Sequence, residues 1–306
     1  MALLKFQRKA DTAPTIDPKV QDFLSDFSIE VMPRTAEKVE DFRTVLPHGT
    51  RVYIAHIEGT PIEEMAATAK RLAEDGFRVM PHFPARIIPD KATLADWIAR
   101  YQGEAGVTEA LMLGGSPTKP LGEFDSSMQL LETGLFDKAG FTHLHVAGHP
   151  EGNKDIDPKG GTANVDEALQ WKTAFNKRSD AEMAIITQFA FEAGPMIEWA
   201  NAVQASGVDL PIHIGIAGPA KLQTLIKFAI ACGVGPSLKV LQKRAMDVTK
   251  LVLPYEPDDI VTALAHHKDA NPGFAITNLH IFPLGGIKTA ATWAQDHGAK
   301  ATAVSG

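Results

Sequence analysis

The stretch "FSIEVMPR", residues 27–34, carries the decision about the fold. Phe27, Ile29 and Val31 alternate with Ser28, Glu30 and Met32, the two-residue period of a strand. A strand covered by helices on its outer face needs that face apolar. Glu30 must then point the other way, into whatever the sheet encloses. Seven more β-rich runs follow: "RVYIAHI" (51–57), "FRVMPHF" (77–83), "EALMLGG" (109–115), "THLHVAG" (142–148), "AIITQFAF" (184–191), "PIHIGIA" (211–217) and "NLHIFPL" (278–284).

Amphipathic segments of helical length lie between these runs. "PIEEMAATAKRLAEDG" predicts a helix with Thr60 as N-cap, Pro61 in its first position and Gly76 as its stop. "DKATLADWIARYQG" predicts another from Asp90 to Gly103. Two extra helices are expected between the last two strands, near 237–246 and 257–268, and a final one near 288–297. Eight strands alternating with helices imply a parallel α/β sheet, and the number implies closure into a single-domain (β/α)8 TIM barrel, with residues 1–24 as an N-terminal extension. A doubly wound open sheet is the alternative, but no glycine-rich dinucleotide fingerprint follows an early strand.

The bulk properties narrow the function classes. The chain has 306 residues and a formal net charge of -7, without the basic stripe of a nucleic-acid binder. "KFQRK" at 5–9 reads as a solvated tail. No apolar run reaches eighteen residues, so no membrane span is expected, and the first residues turn charged too early for a signal peptide. Cys232 is the sole cysteine and, within "FAIACGVG", reads as a small buried filler. The expectation is a cytoplasmic enzyme; a homo-oligomer is left open.

In a barrel, catalytic groups sit at the C-terminal strand ends. Alternation turns His143 and His145 inward, opposite Leu144 and Val146. It places Gln188 with Ile186 and Ala190, and sets His213 and His280 on inner faces. The mouth thus collects Glu30, His56, His82, His145 or His149, Gln188, His213 and His280. A buried carboxylate with a raised pKa suits general acid catalysis; the plain reading pairs Glu30 with Arg34 or Arg86. His143-x-His145 with His213, His280 and a carboxylate would instead suit a metal-dependent hydrolase, although no acidic residue closes strand 8.

The order of these motifs resembles the methylenetetrahydrofolate reductase family, flavin-dependent (β/α)8 enzymes of one-carbon metabolism, from about Phe27 to Trp293. The similar stretches are "IEVMPR", "MPHF", "LMLGGSP", "GHPEGN", "ITQFAFE", "PIHIGIAGP" and "LHIFPL". The resemblance implies interconversion of 5,10-methylenetetrahydrofolate and 5-methyltetrahydrofolate, a tetrahydrofolate derivative as ligand, FAD as cofactor and NAD(P)H as hydride donor or acceptor. It implies Glu30 as general acid, Gln188 on the pterin, and Phe189, Phe191 and Phe282 shaping the folate site. His56, His82, Gly114, Gly115, His149 and Asn153 fall at positions that contact FAD. Departures stand beside these matches. Gly115 replaces an aspartate, Leu113 an arginine, His149 a tyrosine and His56 a hydroxyl residue. Three readings follow: FAD bound differently, direct hydride transfer from a nicotinamide, or a folate-binding relative with altered chemistry. A non-catalytic folate- or flavin-binding protein is the second alternative to the reductase. "GGS" at 114–116 either admits a ring or phosphate close to the backbone or forms a plain strand-end turn.

Overall fold

The structure is a computed structural model that describes residues 16–246 and 254–299. "KFQRK" lies outside the described residues. Eight parallel strands close in chain order: β1 (Ser28–Val31), β2 (Arg51–Ile54), β3 (Arg78–Pro84), β4 (Glu109–Leu113), β5 (His143–Gly148), β6 (Glu182–Ala190), β7 (Ile212–Ala217) and β8 (Ile276–Phe282). The TIM barrel predicted from the alternation is present. The longest seam joins β5 to β6, from His143↔Glu182 to Gly148↔Thr187. β1 meets β8 at only Ser28↔His280 and Ile29↔Ile281.

The outer strand faces carry Ile29, Val31, Val52, Ile54, Leu144, Val146, Ile185 and Ile281, all buried beneath the helices in one continuous core. Each such side chain stabilises the fold by roughly 1.5–3 kcal/mol through burial. The lumen holds a smaller apolar plug, Tyr53, Met80, Leu111 and Ile186. Below the plug, Arg51 Nε donates to Glu109 Oε2 at 2.6 Å, a buried ion pair at the N-terminal end.

The surrounding helices are α1 (Pro18–Phe23), α2 (Pro33–Ala36), α3 (Ile62–Glu74), α4 (Lys91–Ala105), α5 (Ser127–Glu132), α6 (Leu135–Lys138), α7 (Ala163–Asn176), α8 (Ala193–Ala205), α9 (Leu222–Ala231), α10 (Gly235–Ala245), α11 (Asp258–Ala270) and α12 (Ile287–Asp296). The described part of the N-terminal extension packs on the fold: Val20 and Phe23 are buried, and Lys19 pairs with Asp269 of α11 at 2.7 Å.

Two helix boundaries differ from expectation. The N-cap of α3 is Pro61, not Thr60, because Thr60 closes a turn on Ile57 and gives its carbonyl to His56. α4 begins as expected, with the Asp90 carboxylate accepting from Thr93 N–H at 2.7 Å. It runs past Gly103 and ends only at Gly106, which supplies the left-handed φ of +62°. Among the described residues no helix is long and apolar enough to cross a membrane.

Candidate active site

Glu30 is the third residue of β1, with Ile29 and Val31 locked into the outer core on either side. Alternation leaves its carboxylate in the lumen. His82 Nε2 lies 3.3 Å from Glu30 Oε2, and His280 Nε2 lies 4.0 Å away. Among the described residues neither nitrogen has a hydrogen-bonding partner elsewhere. Arg86 is occupied by Asp125 at 2.9 Å and Arg34 is exposed, so the plain arginine pairing is not what the fold uses.

A raised carboxyl pKa was the expectation for an acid. The structure corrects it. Burial pushes the Glu30 carboxyl up, but the His82 ring beside it and His280 beyond pull it down further, and it ends below the ordinary range. His82 therefore belongs to the Glu30 pair.

The other luminal rings are neutral. Burial holds His280 down to about 4 and His213 to about 3, and pushes His145 well below its ordinary value. Each ring is engaged. Ser28 Oγ lies 2.9 Å from His280 Nδ1, and Tyr53 Oη 2.6 Å from His145 Nδ1. His145 and His213 meet edge to face at 4.8 Å. His143 turns instead toward Glu109 and Glu182 at the barrel's base. Among the described residues no three His, Cys, Asp or Glu side chains are placed to hold a metal ion, so the ligand set of the hydrolase alternative is not assembled.

A cavity of about 350 Å³ opens on the C-terminal side of β5 and β6. Gln188, Phe189 and Ala190 line it from β6. The 149–155 loop brings His149 and Asn153, and the end of α9 brings Ile230 and Cys232. Strict alternation in β6 fails here. The register with β7 shifts between Ile186 and Phe189, so Ala190 joins the outer core, while Phe189 turns to Phe282, 5.4 Å away. Phe282 in turn meets His280 at 4.8 Å, linking the cavity wall to the Glu30 cluster. Phe191 lies behind Phe189, edge-on to Tyr255 at 5.3 Å, and is not part of the cavity lining.

Cys232 is exposed, not a buried filler. Its thiol opens onto the cavity, wet yet walled in. That burial, with the charge of Glu30 added, pushes it up to about 11.

The six positions expected at FAD do not share one surface. His149 and Asn153 line the cavity. His82 faces Glu30. His56 stacks on Trp97 of α4 at 4.8 Å and donates from Nε2 to the Thr60 carbonyl at 2.9 Å, so it is spent on packing. Gly115 turns the chain at φ +96°, where a Cβ would come within 3.0 Å of Pro84 Cβ, and neither it nor Gly114 lines the cavity. Gly114 faces open space, with nothing within 4 Å of where its Cβ would stand.

Three contributors went unread in the sequence. Tyr53 follows Arg51 at a spacing of two in β2, the signal that both face inward. Ser28 stands two before Glu30 on the same face. Lys172 continues the buried Val165–Leu169 stripe of α7; it donates to the Ala147 carbonyl at 3.1 Å, and burial lowers it to about 8. Its charge, after burial, helps hold the His149 ring down to about 4.

No family model matches the chain. In three dimensions it is similar to an uncharacterized protein from Clostridium thermocellum that binds two copies of 5-methyl-5,6,7,8-tetrahydrofolic acid. The identity is 12%, the match covers 91% of this chain and 97% of that one, and the TM-score is 0.58. Yersinia pestis DHPS with a pterine-sulfa conjugate matches at 11% identity over 90% and 94% of the two chains, with a TM-score of 0.45. A phosphonopyruvate hydrolase matches at 9% identity over 90% and 80%, with a TM-score of 0.44. At 12% identity the likeness to the Clostridium protein is one of fold, that of the closed (β/α)8 barrel.

Proposed function

We propose that the chain binds a reduced folate at the C-terminal mouth of the barrel and interconverts 5,10-methylenetetrahydrofolate and 5-methyltetrahydrofolate by hydride transfer. The observation that carries this reading is the inward-facing Glu30 carboxylate, held 3.3 Å from His82, in a barrel whose C-terminal side opens a cavity lined by Gln188 and Phe189. Two things support it: the ordered strand motifs, and the 5-methyltetrahydrofolate bound by the structurally similar Clostridium protein.

Glu30 and His82 act as one acid. A ligand seated over Glu30 removes the remaining water and favours the neutral carboxyl. The neutral Glu30 carboxyl then gives its proton from Oε2 to N10 of the folate as the methylene–N10 bond breaks and the hydride reaches the methylene carbon, which stays on N5; the His82 ring, 3.3 Å away, steadies the carboxylate left behind. Gln188 holds the pterin edge, while Phe189 and Phe282 close on its plane. The hydride comes from a nicotinamide co-substrate, NAD(P)H, and no step is assigned to FAD.

The test is nicotinamide oxidation by purified protein with 5,10-methylenetetrahydrofolate, using NADH and NADPH in turn, with and without added FAD. Oxidation without a requirement for FAD is expected. No oxidation under any of the four conditions contradicts the reading.

One observation favours a second reading, a folate-binding protein without turnover: the Glu30 carboxyl lies below its ordinary range. Under that reading wild type and E30Q bind 5-methyltetrahydrofolate alike, and neither turns over.

A further inference from the structure

His280 is completely shielded from solvent. Tyr53 and Phe282 pack on it edge to face, at 4.7 and 4.8 Å, and fix the ring in its plane. Its Nδ1 lies 2.9 Å from Ser28 Oγ, a pair set by the β1–β8 register. Its Nε2 lies 4.0 Å from Glu30 Oε2 and has no hydrogen-bonding partner among the described residues. The ring is neutral, so one nitrogen carries hydrogen and the other a lone pair.

The partners choose the tautomer. The Ser28 hydroxyl has a single hydrogen-bonding contact among the described residues, His280 Nδ1. A buried hydroxyl that only accepted would leave its own hydrogen unused, at a cost. Donation to Nδ1 puts the ring hydrogen on Nε2, facing the carboxylate. The other tautomer would set a lone pair on Nε2 against an ionised oxygen, two acceptors with no proton between them.

We propose that Ser28 and His280 are a positioning dyad for Glu30: the Ser28 hydroxyl holds His280 as the Nε2–H tautomer, and that N–H receives the Glu30 carboxylate left after the acid step. The step balances. The Glu30 O–H bond breaks, an N–H bond forms on the ligand, and the electron pair stays on Oε2, which takes a hydrogen bond from His280 as the 4.0 Å gap closes. The groups facing Glu30 are His82 from β3 and His280 from β8. Tyr53 of β2 is directed at His145, and Cys232 at the end of α9 lies within reach of the Glu30 charge. The catalytic half of this inference rests on the acid role proposed for Glu30; the tautomer does not.

The experiment combines long-range proton–nitrogen NMR of histidine-labelled protein with carbon-13 titration of Glu30, in wild type, S28A and H280F. Activity and 5-methyltetrahydrofolate affinity are measured on the same samples. Wild type should show His280 as Nε2–H, and S28A should lose that preference. H280F should titrate Glu30 at higher pH than wild type. Both variants should lose about ten- to a hundredfold in kcat, the weight of one hydrogen bond to a charged group, with Kd unchanged. A wild-type ring protonated at Nδ1, or S28A and H280F with wild-type kcat and Glu30 titration, overturns the dyad. Nε2–H in wild type, lost in S28A, in a protein without turnover, supports the tautomer lock and overturns the reaction instead.

Discussion

Glu30 shows how far a single residue can be read. Its inward aim was legible because Ile29 and Val31 on either side demand the helix layer, and the structure places both there. Its partner was not legible: Arg34 and Arg86 lie nearer in local logic, yet His82 reaches it across β2, because curvature brings alternate strands together inside a closed sheet. His56 was misplaced for a related reason. β2 ends at Ile54, alternation lapses beyond it, and the ring falls onto Trp97. His82 is the chief group pulling the Glu30 carboxyl down against burial, so H82A should move the Glu30 titration upward, as carbon-13 NMR would record. E30Q should lower kcat by about 100- to 10,000-fold, the usual weight of a general acid, and leave the Kd for 5-methyltetrahydrofolate unchanged in calorimetry.

At the scale of elements, the informative piece is β6. The sequence "AIITQFAF" was legible as a strand, but its phase beyond Ile186 was not, because the irregularity depends on the neighbour. Gly215 of β7 donates its N–H to Thr187 Oγ1 at 2.8 Å, and a Cβ there would stand 2.5 Å from the Thr187 carbonyl oxygen and 2.8 Å from the Phe282 ring. Only glycine lets β7 approach so closely. G215A should therefore cost about 1–3 kcal/mol of stability, the usual penalty for overpacking, measured by urea unfolding. It should also displace Phe189 and Phe282 and weaken ligand binding. Across the cavity, the 149–155 loop is tied to α10. Ser237 donates its hydroxyl to Glu151 Oε1 at 2.5 Å and its N–H to Oε2 at 3.2 Å. S237A should loosen this loop and speed ligand dissociation in stopped-flow experiments, while leaving the far-ultraviolet circular dichroism unchanged.

For the whole molecule, the eight-stranded closure was legible because every strand shows helices one apolar face, a repeated signal that small boundary errors do not erase. What the lumen holds has a thermodynamic consequence. His145, His213 and His280 are buried and neutral, with folded pKa values depressed below the ordinary 6.5. The unfolded chain binds more protons below that pH. Their contribution to stability is therefore complete above about 6.5 and is lost progressively as pH falls toward the folded values near 4 and 3. Urea midpoints should fall steadily from pH 7 to pH 5; a flat profile contradicts the burial. The Arg51–Glu109 pair below them should behave as a buried ion pair, with R51M alone costing about 3–5 kcal/mol. The central claim remains that one carboxyl and one amide act on the same folate, and the most direct measurement is a crystal structure of the 5-methyltetrahydrofolate complex. The predicted result is a pterin in the β5–β6 cavity, with the Gln188 amide on its edge and a Glu30 oxygen within hydrogen-bonding distance of N10. A pterin bound elsewhere, or one that Gln188 touches while Glu30 stays turned to His82 and out of reach, would contradict it.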